Sequence, residues 1–459
     1  MATRTIGVDL GVTSASDIAV AEGMNVISTR KAASTPAALT AAFAKLGGGG
    51  PVNVVVEATA MAWFVATVAV MRSGIDATLF RVSGTKAAAL RKFYRQHTKT
   101  DRIDARVLAR MPLVDDGLHE LRLPAPGELA LKRLVALRHK LVGESVRVAD
   151  RIRSTLHWAA PGMLSGRETV TDGFVQILMR WPDLQALARA RPSTIAKVGQ
   201  VPRDRAERIR DAAVDTVEFY EGLVDFASLA VEFEVATIQH TTLRQQISRL
   251  EQAITVQHEQ LHPDDVLLSV PGIGPVVASV IRGCVGNMER FTNLAAFRAY
   301  TGLVPRERSS GESQRRGKIS KAGPSMLRWA LYLAADVARQ SDPELAALYR
   351  RLMVERGRHH HQALCAVASH LAGRIWAVSR TNRPYQWRDL DGTPITQQQA
   401  RDIANGLRID AATRQRLRQQ RGPDVSRSRQ PKAPHDHDRP SPLDLTHAAL
   451  ELATALDGT

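Results

Sequence analysis

Four carboxylates stand where their neighbours give them no ordinary reason to be. Asp9 closes the apolar run Thr5-Ile-Gly-Val, Glu57 closes Asn53-Val-Val-Val, and Asp101 and Asp104 lie three apart in Thr98-Lys-Thr-Asp-Arg-Ile-Asp-Ala-Arg106. A carboxylate buried without a partner is costly, so acids at the ends of apolar runs need a cation or donors nearby. The i, i+3 spacing sets Asp101 and Asp104 on one helix face. Carboxylate oxygens are what a hard cation such as Mg²⁺, or Mn²⁺ in its place, prefers. Two such ions about 3.5–4 Å apart would brace the attacking and leaving oxygens of a phosphodiester exchange. Alone, Asp101 and Asp104 read as a solvated face paired with Arg102 and Arg106; Asp9 with Glu57 tips the balance to a metal set.

A second candidate lies far downstream. The stretch Pro305-Arg-Glu-Arg-Ser-Ser-Gly-Glu-Ser-Gln-Arg-Arg-Gly-Lys-Ile-Ser-Lys321 is rich in hydroxyls, glycine and cations. Such a loop either binds phosphate, through Arg306, Arg308, Arg315, Arg316, Lys318 and Lys321, or presents a serine beside cations that stabilise a crowded phosphorus centre. From chemistry alone, a serine there is more often a hydrogen-bonding group. Just upstream, Leu267-Leu-Ser-Val-Pro-Gly-Ile-Gly274 reads as helix, tight turn and second helix, a helix-hairpin-helix-like element. Gly272 and Gly274 would expose backbone N–H groups to a nucleic-acid phosphate; the bland alternative is a packed corner that needs glycine for close approach. The run His359-His-His points to different helix faces and suits surface or phosphate contact better than a metal. Asp9-Leu-Gly-Val-Thr13 also looks like the first phosphate loop of actin-like ATPases, but no second such loop follows.

These residues need elements to hold them. Strands are expected near Thr5, Ser16 and Val26, then a helix opened by Ser34, Thr35 and Pro36, a buried strand at Asn53, a helix over 60–71 and a strand at Ala77. That is a mixed α/β domain over residues 1–125. A long amphipathic helix with a basic side follows, then a second from about Arg205 to Leu261, whose Phe233, Ala236, Leu243, Ile247, Leu250 and Ile254 keep a heptad,. Residues 126–262 are therefore a helical coiled-coil connector, folded back on itself or shared between chains. Residues 263–400 read as mainly α. Residues 401–440 carry ten Lys+Arg against five Asp with almost no apolar periodicity, so 401–459 is expected to be a disordered basic tail with a short helix near 443–456.

Composition narrows the partner. The 459-residue chain carries 62 Lys+Arg against 46 Asp+Glu, a net charge of +16, and 44% hydrophobic residues. It can bury a core, and its basic surface favours a polyanion such as nucleic acid. Two cysteines far apart, Cys284 and Cys365, argue against a disulfide scaffold or a thiolate zinc site and fit a reducing cytoplasm,. No run of 18 uncharged apolar residues suggests a membrane span, nor the N-terminus a signal peptide.

Taken together, Ile6-Gly-Val-Asp9, Val55-Val-Glu57-Ala-Thr, Lys99-Thr-Asp101-Arg-Ile-Asp104-Ala-Arg106, Ser269-Val-Pro-Gly-Ile-Gly274, Ala299-Tyr-Thr-Gly-Leu-Val-Pro305, Ser310-Gly311, Ile319-Ser-Lys-Ala-Gly323 and Leu327-Arg-Trp-Ala-Leu-Tyr332 resemble the bacterial insertion-sequence transposases of family one-hundred-and-ten, the bridge-RNA-guided recombinases. The resemblance covers about residues 4–376. It implies an RNase H-like (RuvC-like) domain with a DEDD Mg²⁺ site at Asp9, Glu57, Asp101 and Asp104, and a coiled coil used to assemble a dimer or tetramer. It also implies a C-terminal transposase domain whose nucleophilic serine aligns with Ser310, with Ser309 one residue away. The partners so implied are double-stranded donor and target DNA and a structured bridge RNA. The first turn departs from the family, which usually has a lysine where this chain runs Gly11-Val-Thr13-Ser14. The rival readings are a metal nuclease without covalent serine chemistry and an actin-like ATPase.

Overall fold

The structure is a computed structural model. It describes residues 4–421 except 12–13, 58–60, 94–99, 116, 119, 122, 124, 167 and 311–312, with backbone alone at 85, 93, 307–310, 313–317, 418, 420 and 421. The chain divides into two units after Ala125.

The first unit runs β1 (Arg4–Asp9), β2 (Ser16–Glu22), β3 (Asn25–Ala32), α1 (Pro36–Leu46), β4 (Val52–Glu57), α2 (Ala62–Arg72), β5 (Ala77–Val82), α3 (Gly84–Phe93) and α4 (Asp101–Val114). Its mixed sheet has the order β3-β2-β1-β4-β5, antiparallel on the β2 side of β1 and parallel on the β4 side. Thr35 caps α1 by accepting from the Ala38 N–H, and Thr100 caps α4 by accepting from the Ile103 N–H,. Alternation in the strands sorts the two faces. Ile6, Val8, Val54 and Val56 bury against Leu39, Phe43, Trp63 and Val70 of α1 and α2. The intervening residues face α3 and α4: Val55 joins Leu108 and Met111, and Ala19 and Ala21 meet Ala105 and Ala109.

Gly7 explains how closely α4 approaches. A β-carbon there would lie 2.2 Å from the Ala109 nitrogen and 2.3 Å from the Ala105 oxygen, both main-chain atoms. Only a residue without a side chain lets the helix rest directly on β1.

The second unit begins with α5 (Pro126–Ala159), followed by α6 (Asp172–Arg180), α7 (Leu184–Ala188), α8 (Pro192–Gly199), α9 (Arg203–Phe219) and α10 (Phe226–Leu261). The single helix expected from Arg205 to Leu261 is two helices, because Gly222 at φ +73° turns the chain between α9 and α10. The heptad stripe is inward: Phe233, Ala236, Leu243, Ile247 and Ile254 are buried, Leu250 is partly so, and His240, between Ala236 and Leu243, is buried with them. α10 packs on α5 of the same chain, and Arg138 pairs with Glu251 across them. Within the expected connector, residues 160–205 form small helices whose Phe174, Ile177, Leu187 and Ile195 share a core with one end of α5 and α10.

The remainder is a 3-10 turn (Val266–Ser269), α11 (Pro275–Val285), α12 (Leu294–Thr301), a hairpin of β6 (Pro305–Ser310) and β7 (Ser313–Ile319), α13 (Ser325–Ala338), α14 (Pro343–Arg350), α15 (His360–Thr381), α16 (Gln397–Gly406) and α17 (Ala411–Arg421). Connector and C-terminal helices are joined by a shared core of Leu131, Val135, Ile254, Val280 and Ala330, which is why they form one unit. The first part of the tail expected to be disordered from 401 is helical: α16 carries a Thr396/Gln399 capping box, and Ala400, Ala404, Ile409 and Leu417 are buried,; residues 422–459 lie outside the described residues. A few buried small side chains suffice to order helices that have little apolar periodicity. The helix expected near 443–456 lies outside the described residues. Among the described residues no helix is long and apolar enough to cross a membrane.

Candidate functional site

The acid cluster is built by strand ends and one helix start. The register Val8↔Val56 puts Asp9 and Glu57 side by side at the last positions of the adjacent parallel strands β1 and β4. Both share the face that carries Gly7 and Val55, the face α4 covers. Asp101 and Asp104 occupy the first turn of α4, Asp101 exposed and Asp104 buried. Carboxylates there are favoured by the helix dipole. Burial, and then the charges of Glu57, Asp101, Asp104 and Asp17 in that order, push the Asp9 carboxyl up to about 7. Asp9 thus stands within the field of each of the other three sequence-predicted acids.

Two residues escaped the sequence reading. Asp17 lies directly across the antiparallel pair from Asp9, buried, with Lys31 of β3 at 3.8 Å; a carboxylate at the start of the apolar run of β2 was its signal. Arg91 of α3 forms an ion pair with Asp104, the arginine side chain 15% and the aspartate 3% exposed. Neither Arg102 nor Arg106 takes that role, and no sequence spacing links residues 91 and 104. Among the described residues no three ligand-type side chains stand within reach of one ion as they lie, and Asp104 is engaged by Arg91.

The serine-rich stretch, expected as a loop, is a hairpin. Ser310 ends β6 and pairs with Ser313 of β7; Gly311 and Glu312 between them lie outside the described residues, as do the side chains of Ser309, Ser310, Arg308, Arg315 and Arg316. The register sets Arg308 opposite Arg315. Its base is fixed: Ser320 N–H donates to the Val304 oxygen (2.8 Å), Lys321 N–H to the Gly302 oxygen (3.0 Å), and exposed Arg306 donates to the Ser320 oxygen. Gly323 is needed because a β-carbon would sit 1.5 Å from the Tyr300 oxygen. Lys318 and Lys321 are exposed beside it.

The Pro271-Gly-Ile-Gly274 corner is entered by a 3-10 turn, not by the α-helix expected. Gly272, at φ +76°, faces α13: a β-carbon would lie 2.3 Å from the Ala334 oxygen, whereas Gly274 is exposed with nothing near it. Packing thus accounts for Gly272. Behind the corner, buried Ser279, His258 and Asp265 form a chain of contacts at 3.1 and 3.3 Å, and Asp265 takes two hydrogen bonds from Arg282. Burial would raise the Asp265 carboxyl, but the His258, Arg282 and Leu267 donors hold it far below its usual range. The string resembles a catalytic triad in composition, but Ser279 and His258 are fully buried, so it is a strut. The histidine run lies at the surface, with His360 and His361 exposed and hydrogen-bonded to Tyr349 and Tyr332.

Comparison with known proteins places both halves. The transposase model DEDD_Tnp_IS110 matches residues 6–161, and the model described as "Transposase IS116/IS110/IS902 family" matches residues 264–350. The chain is 28% identical over 339 residues to the "Insertion element IS110 uncharacterized 43.6 kDa protein" of Streptomyces coelicolor, covering 69% of this chain and 82% of the relative. To the "Insertion element IS116 uncharacterized 44.8 kDa protein" of Streptomyces clavuligerus it is 24% identical over 309 residues, covering 66% and 76%. A "Pilin gene-inverting protein" of Moraxella bovis is 28% identical over 138 residues, 30% of this chain and 43% of that one. The first model takes in the acid cluster and the second the serine-bearing hairpin, in order and together over more than half of the chain. The protein therefore belongs to the IS110/IS116 family of insertion-sequence transposases.

Proposed function

We propose that the protein recombines DNA by cutting and rejoining donor and target duplexes, with Asp9, Glu57, Asp101 and Asp104 as an RNase H-like DEDD site for Mg²⁺ and Ser310 as nucleophile, guided by a structured bridge RNA. The observation that carries this reading is geometric: Asp9 and Glu57 end adjacent parallel strands on the face that α4 covers, and the first turn of α4 brings Asp101 and Asp104, so that burial and then the charges of these acids raise the Asp9 carboxyl in a site whose donors are all oxygen. A divalent cation relieves such crowding of like charge; the all-oxygen donor set has the chemistry for one, and Asp104 must leave Arg91 before the acids can close on it. When bound, Mg²⁺ supplies neutralisation of phosphate charge and polarisation of a phosphate oxygen.

The chain's own residues supply the rest. Ser310 Oγ would form a bond to phosphorus as the bond to a deoxyribose oxygen breaks, the serine proton ending on that oxygen as a hydroxyl; a later attack by a deoxyribose hydroxyl returns the proton to Ser310 and reverses the exchange, so no bond energy is lost to water. Arginines at positions 308 and 315, opposite one another in the hairpin, would repel in the free protein and favour a phosphate between them. Exposed Gly274 offers a further backbone contact, as do Arg306, Arg316, Lys318 and Lys321. Assembly through the connector is supported by Val231, Val235 and Ile238, at i, i+4 and i+7 on α10, each 56–58% exposed,. The name of the Moraxella relative, a gene-inverting protein, fits strand exchange rather than simple hydrolysis. Recombination of DNA under a guide RNA would take place in the cytoplasm.

The test is to trap a covalent protein–DNA adduct under denaturing conditions. Adduct lost in Ser310→Ala and in Asp9→Asn, but kept in Ser309→Ala, supports the assignment. Hydrolytic nicking that survives Ser310→Ala, with no adduct from the unaltered protein, would leave a plain metal nuclease.

A further inference from the structure

The helix α3 lines the acid cluster from end to end. Its first residue, Gly84, lies against Glu57, since a β-carbon there would be 2.7 Å from the Glu57 Oε1. Seven residues later, or about 10 Å along the helix axis, Arg91 holds Asp104. Five acids crowd this end of the sheet: Asp9, Asp17, Glu57, Asp101 and Asp104. The outer two buried ones each have a cation from a neighbouring element, Lys31 for Asp17 and Arg91 for Asp104. The two pairs differ in a way that matters. Lys31 is largely exposed and reaches Asp17 at 3.8 Å, whereas Arg91 is mostly buried and hydrogen-bonded to its partner through Nε. A guanidinium cannot shed its charge. A fixed positive charge on a carboxylate of the set opposes the entry of a second cation beside it, through direct competition for the oxygen and through repulsion in a site partly withdrawn from water.

We propose that Arg91 is the built-in counter-cation of the acid cluster: it holds Asp104 while no divalent ion is bound and must yield that carboxylate as one enters. The inference rests on the reading of these acids as a divalent-cation site. It makes Arg91 a positioning residue, which keeps the cluster assembled against its own repulsion and sets the ion concentration at which the site fills. The opposite role is equally well defined. An outer residue that supports a metal ligand strengthens binding, and its loss typically weakens metal affinity about 10–100-fold.

The experiment is calorimetric binding of Mn²⁺ alone to the full chain, together with thermal unfolding in chelator and in Mn²⁺. Arg91→Gln, which removes a competing and repelling cation, is expected to bind Mn²⁺ about tenfold more tightly and to melt earlier than the unaltered protein in chelator, with the difference closing when Mn²⁺ is added. Arg91→Lys, which retains charge but loses the Nε donor, is expected to bind with an affinity between the two and supplies the same test should the glutamine variant not fold. Unchanged or weaker Mn²⁺ binding in a folded Arg91 variant overturns the proposal while leaving the metal site standing. Mn²⁺ binding that survives Asp9→Asn combined with Asp104→Asn unchanged overturns the metal-site reading itself, and the proposal with it.

Discussion

Replacing Gly7 by alanine adds one methyl group and should dismantle the acid cluster from behind. The new carbon would lie 2.2 Å from the Ala109 nitrogen and 2.3 Å from the Ala105 oxygen, where ordinary contact begins near 3.4 Å. Main-chain atoms of a helix cannot step aside singly, so α4 must retreat as a body by about 1 Å, and overpacking of this kind costs about 1–3 kcal/mol. At roughly 4 °C per kcal/mol for a unit of this size, the melting transition of residues 1–125 should fall by about 4–12 °C. Asp101 and Asp104 travel with α4 while Asp9 and Glu57 stay on the sheet, and a shift of about 1 Å between reacting groups can cost roughly 100-fold in rate. Scanning calorimetry and a plasmid recombination assay measure the two effects, with Gly50→Ala as the control, since nothing lies within 4 Å of a β-carbon there. A Gly7→Ala protein that melts and recombines like the parent would refute the claim that α4 is seated on β1 through this glycine.

Three further outcomes follow from the same contacts. Asp9, raised from its ordinary 3.8 to about 7 by burial and its acidic neighbours, binds its proton more tightly in the folded protein. Its contribution to stability is full below the unfolded value and lost as pH rises through the folded one. In chelator, the melting temperature of the parent relative to Asp9→Asn should therefore fall between about pH 4 and pH 7; a pH-independent difference would contradict the burial of that carboxyl. Asp265→Ala leaves Arg282 and buried His258 without their acceptor and should cost about 3–5 kcal/mol in denaturant unfolding, while Ser279→Ala, which removes only a hydroxyl, should cost far less. Gly272→Ala should destabilise by overpacking against α13, whereas Gly274→Ala meets open space and should melt normally; any loss of DNA affinity in Gly274→Ala, read by fluorescence anisotropy, would then belong to binding alone.

Local pattern carried much of the first unit. Asp9 and Glu57 were legible as strand-end acids because a carboxylate terminating an apolar run is visible without knowing which strands pair, and the Thr100 cap with two acids in the next turn marks the start of α4. What the pattern hid is instructive. Asp17 sits in a strand that was recognised, but its importance depends on lying across from Asp9 in the β1–β2 register. Arg91 has no periodic relation to Asp104 and meets it only because α3 and α4 pack together. In the second unit, the heptad stripe identified the buried face of α10, yet a turn at Gly222 broke the long helix, and a run dense in Ser, Gly and Arg that resembled a loop closed into a strand pair.

The amino-acid order alone determined the five strands and the early helices of the first unit, where acids interrupt apolar runs, and that the surface seeks a polyanion, because periodicity and charge are properties of neighbouring residues. Tertiary structure decided which acids share a field, which cation answers Asp104, and that Gly272 and Ser279 serve packing. Those outcomes depend on through-space distance between residues remote in the chain, and helix and strand periodicity carry no record of it.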